Sequence, residues 1–360
     1  MKKIVTSLVI LAIGIASIQN SNATIRRVFY WGSPTSLDYS TIQAAHDAAI
    51  AGDTIYVYPN TQNNEITITK RIVLLGNGYN FSSPDSANNN LQTFVGQTSN
   101  VSAIHLNEGS DSSVISGLLM VGGVMIRSNK NIIKRCWFSS EYTNIHLEGT
   151  TTGNSIVENF FANNNTIYCN YYDNSQSTNN LLISNNIFRN GYSNAGVTQN
   201  GTGLTGQISN NIFGDSIYIK GWSNQPWNSC SINLTNATVL IQNNISYGLN
   251  LTQTNAIVRN NIGWGTEWPS GNFNKQNISQ ASLFTLLSTD SPDKRFTLKS
   301  GSPAKLAGSG GIDCGVFAGT YPYVLSGIPA TPTIYNISGP ANNQVTGGNL
   351  TITISTKSNN

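Results

Sequence analysis

A short pattern of apolar and polar positions returns along the middle of the chain: an apolar pair, a polar residue, asparagine, then a second apolar pair. It reads Ile156-Val157-Glu158-Asn159-Phe160-Phe161, Leu182-Ile183-Ser184-Asn185-Asn186-Ile187-Phe188 and Ile208-Ser209-Asn210-Asn211-Ile212-Phe213. Leu240-Ile241-Gln242-Asn243-Asn244-Ile245 and Ile257-Val258-Arg259-Asn260-Asn261-Ile262 continue it, and earlier copies carry Arg135 or Gly117 in the asparagine place. Successive copies lie about 17 to 33 residues apart, mostly near 25, which is the length of one coil in a stacked β-solenoid. The flanking β-branched, aromatic and leucine residues favour short strands. Asparagine and glycine accept the left-handed backbone that a sharp turn between strands needs. Stacked coils would set the same asparagine about 4.8 Å above its counterpart, close enough for an amide ladder. These asparagines are expected to hold turns rather than to bind a ligand. The predicted fold is all-β, a parallel β-helix of about nine or ten coils and roughly 45 Å in length.

Upstream of the asparagine in each coil lies another short strand: Ile104-His105-Leu106, Val124-Met125-Ile126, Ile145-His146-Leu147, Ile167-Tyr168-Cys169 and Ile217-Tyr218-Ile219. The apolar flanks of each point inward, so the middle residue points out. His105, Met125, His146 and Tyr168 are predicted to stack on one outer face, followed by Thr198 and Tyr218. Glu108, Glu148 and Asp173 fall just after three of these strands, and Trp222 and Trp227 sit together in one long coil. Aromatic and imidazole faces suit stacking on sugar rings, and carboxylates suit sugar hydroxyls or a cation. In that reading His146 or Tyr168 is a candidate general base, with Glu148 and Asp173 as further catalytic candidates. The plainer alternative is that all of these are ordinary outward residues under covering loops. Exposed Trp222, Trp227, Trp264 or Trp268 would favour carbohydrate contact, whereas buried ones would merely anchor their loops.

The ends of the chain differ from its middle. Lys2 and Lys3 precede an apolar run over residues 4–18, and Ser21-Asn22-Ala23 places small residues where a signal peptidase reads. Residues 1–23 are therefore expected to be a signal peptide cleaved after Ala23, with export to the periplasm, the cell surface or the medium. The run is shorter than the ~20 residues a membrane span needs. Ser40 is predicted to cap a helix beginning at Thr41 that covers the open apolar end of the solenoid. The β-helix with this cap is assigned to 24–320. The segment 321–360, with Pro322, Pro329, Pro332 and Pro340 and the alternating Asn349-Leu350-Thr351-Ile352-Thr353-Ile354, is assigned as an extended tail that packs on the helix or pairs with an edge. Export permits disulfides among Cys136, Cys169, Cys230 and Cys314, but their wide spacing leaves all three pairings open, together with the alternative of four buried thiols.

Composition sharpens this picture. Charged residues make up 10% of the chain, against roughly 25% in an average soluble domain, and 50 of the 360 residues are asparagine. A formal net charge of +3 gives no footprint for nucleic acid, and the Asn, Gly, Ser and Thr content disfavours a helical protein.

Thr41-Ile42-Gln43-Ala44-Ala45 followed by Ala51-Gly52-Asp53-Thr54-Ile55-Tyr56-Val57 resembles the opening segment of the pectin lyase-like superfamily of right-handed parallel β-helix proteins. The Ile-x-Asn-Asn repeats match it too, over roughly residues 28–320. The tail, from Gly301-Ser302-Pro303-Ala304 to Gly327-Ile328-Pro329-Ala330, looks like the end of secreted β-helix proteins of Bacteroidetes-type bacteria. The resemblance implies a right-handed helix and leaves activity open among lyases, hydrolases, esterases and adhesins. The motifs expected for polygalacturonases, pectin methylesterases and pectate lyases of this fold are missing from the chain. The resulting expectation is a secreted, monomeric binder of a polysaccharide or cell-surface glycan. The alternative is a lyase acting on a uronic-acid polysaccharide, which would bring Ca2+ into consideration.

Overall fold

Among the described residues, most coils contribute one strand to each of three parallel sheets, and the sheets are held together by an alternation the sequence already carries. The computed structural model describes residues 23–29, 37–59, 65–79, 98–141, 143–162, 165–170, 175–189, 195–199, 203–214, 230–253, 255–285, 291–339 and 351–357. Sheet I runs from Asp38–Tyr39 and Ile25–Val28 through Thr54–Val57 and Val73–Leu75 up to Ile257–Arg259. Sheet II stacks eight strands, from Ile66–Ile68 to Leu249–Gln253, and sheet III stacks eight two-residue strands, from Asn100–Val101 to Ile262–Gly263. The fold is a right-handed parallel β-helix, as expected. Ile104, Leu106, Ile133, Ile156, Ile183 and Ile241 are fully buried inside it. Phe138, Phe161, Phe188 and Phe213 stack in a column along its interior, with centroids 4.5, 4.6 and 4.9 Å apart. That column follows from the second apolar residue of each repeat recurring at the coil period.

The asparagine doublet divides two jobs that the sequence pattern assigns to one residue. Asn185, Asn210, Asn243 and Asn260 take the left-handed conformation, as do Arg135, Glu158 and Gly117 in the other coils. The ladder belongs to the next residue. Asn159, Asn186, Asn211, Asn244, Asn261 and Asn274 pass amide hydrogen bonds from Nδ2 to the next Oδ1 at 2.9–3.1 Å. Each Oδ1 also accepts the preceding ladder residue's backbone N–H, and each Nδ2 donates to a carbonyl one coil back, as Asn211 does to Ile183. The ladder ends at Cys136, whose backbone N–H donates to Asn159 Oδ1. The left-handed residues link more loosely from coil to coil, as Asn243 Nδ2 does to Asn210 Oδ1 at 3.4 Å.

Helix α1, Ile42–Ala48, closes the first coils. Its cap is Thr41, whose hydroxyl accepts from Ala44 N–H, rather than the expected Ser40. Ile42, Ala45 and His46 are its buried residues. Gln43 both accepts from and donates to the backbone of Thr67, and His46 Nε2 accepts Thr69 N–H at 3.2 Å. The helix therefore satisfies the exposed edge of the first strand of sheet II, which would otherwise be a template for unwanted pairing. Burial holds the His46 pKa below its ordinary value, with the Asp47 hydrogen bond opposing that shift and the nearby Lys70 reinforcing it.

Beyond Gly263 the chain turns back. Helix α2, Gln280–Leu283, and the segment 291–328 form a strap across the outer face of sheet III. Phe284, Phe296, Cys314, Val316 and Tyr323 cover Phe160, Ile187, Ile212, Ile245 and Ile262, so this sheet is buried on both faces. The left-handed column is the seam of the strap. Asn260 donates to Ala307 O, Asn210 to Gly315 O, Asn185 to Val316 O and Arg135 to Ile328 O. At its far end the Tyr79 and Tyr323 hydroxyls hydrogen-bond, and buried Asp293 accepts Ser326 N–H and the Ser291 hydroxyl, each at 2.7 Å. Strands Thr333–Ser338 and Thr353–Lys357 then pair antiparallel with each other rather than with a sheet edge of the solenoid.

All four cysteines are buried free thiols, so none of the possible disulfide pairings forms. Burial pushes the Cys136, Cys169 and Cys314 thiols up to about 12, which leaves them unreactive. No described helix is long and apolar enough to cross a membrane.

Candidate functional site

The outer face of sheet II carries the expected column. Thr67, His105, Met125, His146, Tyr168 and Thr198 stand in register on consecutive coils. The next position is Asn233, and after it Thr252, so Asn233 holds the slot expected for Tyr218. The strand after Ala195–Gln199 is Cys230–Leu234, because this coil is longer than its neighbours and the repeat spacing alone misplaces its strand. Tyr218 itself lies outside the described residues, as do Asp173, Trp222 and Trp227.

Within the column the His146 and Tyr168 rings stack, with centroids 5.1 Å apart and planes 20° from parallel. Such a pair contributes about 0.5–1.5 kcal/mol beyond burial and fixes both ring orientations. His105 Nε2 lies 2.8 Å from Glu65 Oε1, so its carboxylate partner is Glu65. Glu108 stands exposed in the turn that follows, and no described side chain pairs with it.

A second outward column runs two residues downstream of the first, through Asn107, Arg127 and Glu148. Arg127 donates from Nε and Nη2 to Glu148 Oε2, at 3.0 and 2.8 Å, and from Nη1 to Asn107 Oδ1 at 3.1 Å. Glu148 Oε1 is shielded from solvent and finds no hydrogen-bond partner among the described residues. Arg127 is part of the site although the sequence pattern did not single it out. The signal was available, since strand alternation that points Met125 outward points Arg127 outward as well. Glu65 was hidden for a similar reason, because it lies two positions before Thr67 and just outside the strand.

Burial pushes the His146 pKa below its ordinary value, and the nearby Glu148 charge offsets only part of that. The imidazole is therefore neutral at pH 7. Both His46 and His146 bind protons less readily when folded, so between their folded pKa values and the unfolded value of about 6.5 the unfolded chain holds more protons. Their contribution to stability is complete above about pH 6.5 and is lost as pH falls below it. The drop in melting temperature on acidification from pH 7.5 to 5.5 should be smaller in the His46→Gln and His146→Gln variants than in the parent. An unchanged drop in both variants would place the acid sensitivity elsewhere.

Two aromatic side chains near the far end bear on the same question. Trp268 is fully buried and anchors its loop, whereas Trp264 is 49% exposed and packs against Tyr247 on the coil below, with centroids 4.7 Å apart. Among the described residues no three His, Cys, Asp or Glu side chains converge as a metal centre requires.

No family model matches the chain, and no curated protein matches it. Among solved structures, the crystal structure of pectate lyase Pel9A is similar at 16% identity and a TM-score of 0.40, covering 83% of this chain and 97% of that chain.

Proposed function

We propose that the protein is a secreted carbohydrate-binding solenoid that lays a polysaccharide or cell-surface glycan along the outer face of sheet II. The observation that carries this reading is the stacked His146–Tyr168 pair beside the Arg127–Glu148 pair. The half-buried rings offer apolar surface to a sugar, and the more exposed Arg127 guanidinium beside them offers N–H groups to a hydroxyl. The lyase alternative draws on neutral His146 as a base beside a uronic acid. It is the weaker reading, because elimination also needs a cation on the substrate carboxylate and Arg127 already spends two donors on Glu148.

Binding to neutral and uronic-acid polysaccharides, measured on the exported protein by affinity electrophoresis, tests both. Tyr168→Ala should weaken binding about 3- to 10-fold, the loss of one stacking contact, in a protein that is still folded at the assay temperature by circular dichroism. Binding that is indifferent to Tyr168→Ala would move the site away from sheet II. Ultraviolet absorbance from an unsaturated product, abolished in His146→Gln, would replace the binding reading with the lyase.

A further inference from the structure

The first described strand begins beside a buried carboxylate. Asp53 is fully buried in the turn before strand Thr54–Val57. Its Oδ1 accepts the Thr24 backbone N–H at 2.8 Å, and its Oδ2 accepts Arg26 Nε at 2.8 Å and Ile50 N–H at 3.1 Å. Arg26 is itself held by the Tyr39 hydroxyl, which accepts from Nη1 at 2.7 Å. Thr24 is fixed from its other side as well, since its carbonyl accepts Thr54 N–H at 2.9 Å. This arrangement places a buried anion against the backbone nitrogen of one residue, and that residue directly follows the small-residue sequence Ser21-Asn22-Ala23.

We propose that hydrolysis of the Ala23–Thr24 bond matures the fold, because the α-ammonium it creates on Thr24 becomes an ion-pair partner of the buried Asp53 carboxylate. The inference rests on residues 1–23 being a cleaved leader. A peptidase adds water across the bond, Ala23 leaves as a carboxylate on the leader, and the Thr24 amine takes up a proton. The nitrogen that donated a neutral amide hydrogen bond at 2.8 Å then donates a charge-assisted one, roughly twice as strong. Thr24 is only half-buried, so the other two ammonium protons keep access to water. Register decides which residue can do this. A chain starting one residue earlier or later would carry its ammonium about 3.8 Å along the backbone, out of reach of Oδ1.

The first measurement is the intact mass of the protein exported by a bacterial host from its full precursor. It should correspond to a chain starting at Thr24, and any other start overturns the proposal. The second is thermal unfolding of that protein beside forms starting at Ala23 or carrying Nα-acetyl-Thr24. The Thr24 form should melt at least about 2 °C higher than either, and the gap should close in the Asp53→Asn background. Equal melting temperatures, or a gap that persists without the carboxylate, would overturn the ion pair. Should Asp53→Asn fail to fold, the rate of reductive methylation of the Thr24 amine decides. It should be at least about tenfold slower in the native protein than in urea, the protection expected of an engaged ammonium, and equal rates would overturn the proposal.

Discussion

Truncation of Arg135 to Ala is expected to cost about 3–5 kcal/mol of folding stability, read from urea unfolding. Arg135 and Glu158 occupy consecutive positions in the left-handed column, and their side chains are 6% and 4% exposed. Nε of Arg135 donates to Glu158 Oε2, and Nη1 donates to Ile328 O at 3.0 Å. Without the guanidinium, Glu158 is an unpaired buried charge and the end of the strap loses its tie to the helix. The cost comes from the stranded partner rather than from the net worth of the pair. Replacing both residues together by Met should therefore recover most of the loss, to within about 1–2 kcal/mol of the parent. Limited proteolysis of the strap should accelerate in Arg135→Ala and stay faster than in the parent in the double variant, which also lacks the tie to Ile328 O. A single truncation that costs less than about 1 kcal/mol would mean that water, not Arg135, satisfies Glu158.

Asn211→Ala is expected to lower stability by about 3 kcal/mol, whereas Asn210→Gly next to it should stay within about 1 kcal/mol of the parent. The Asn211 amide accepts from both the backbone N–H and Nδ2 of Asn186 and donates to Ile183 O and Asn244 Oδ1, all at 2.9–3.0 Å. Its removal leaves buried donors and an acceptor in the middle of the stack, where no solvent replaces them. Asn210 has φ of 54°, and its contacts with the strap, at 3.3 and 3.4 Å, are long. Glycine takes that backbone conformation without strain, so little is lost. Thermal unfolding of the two variants measures the contrast directly. Equal costs would contradict the division of labour within the doublet.

The repeat Ile-x-Asn-Asn-Ile-Phe made much of the solenoid legible, because strand alternation and tolerance of a left-handed turn are properties of a few consecutive residues. His105, Met125, His146 and Tyr168 could be aligned for the same reason: inward apolar residues on either side fix which way each middle residue points. Tyr218 failed that test because a long coil intervenes, and loop length follows no periodicity. The adjacent asparagines could not be told apart in the sequence, since their difference lies in which amide reaches the coil below. Likewise Arg127 and Glu148 are 21 residues apart and meet only because one coil brings them into register.

What the sequence by itself determined is the local architecture: short strands in each coil, left-handed corners, an outward column of middle residues and a helix to cap the first coil. Each depends on backbone preference and on the alternation of side chains along a strand. Only the tertiary structure decided where residues 291–328 go and what they do. The ties of that strap link Asn185 to Val316, Arg135 to Ile328 and Tyr79 to Tyr323, across 131, 193 and 244 residues. Contacts so distant in the chain leave no local pattern. They arise because sheet III has an apolar outer face that must be covered, and the segment following the last coil is long enough to lie back across it.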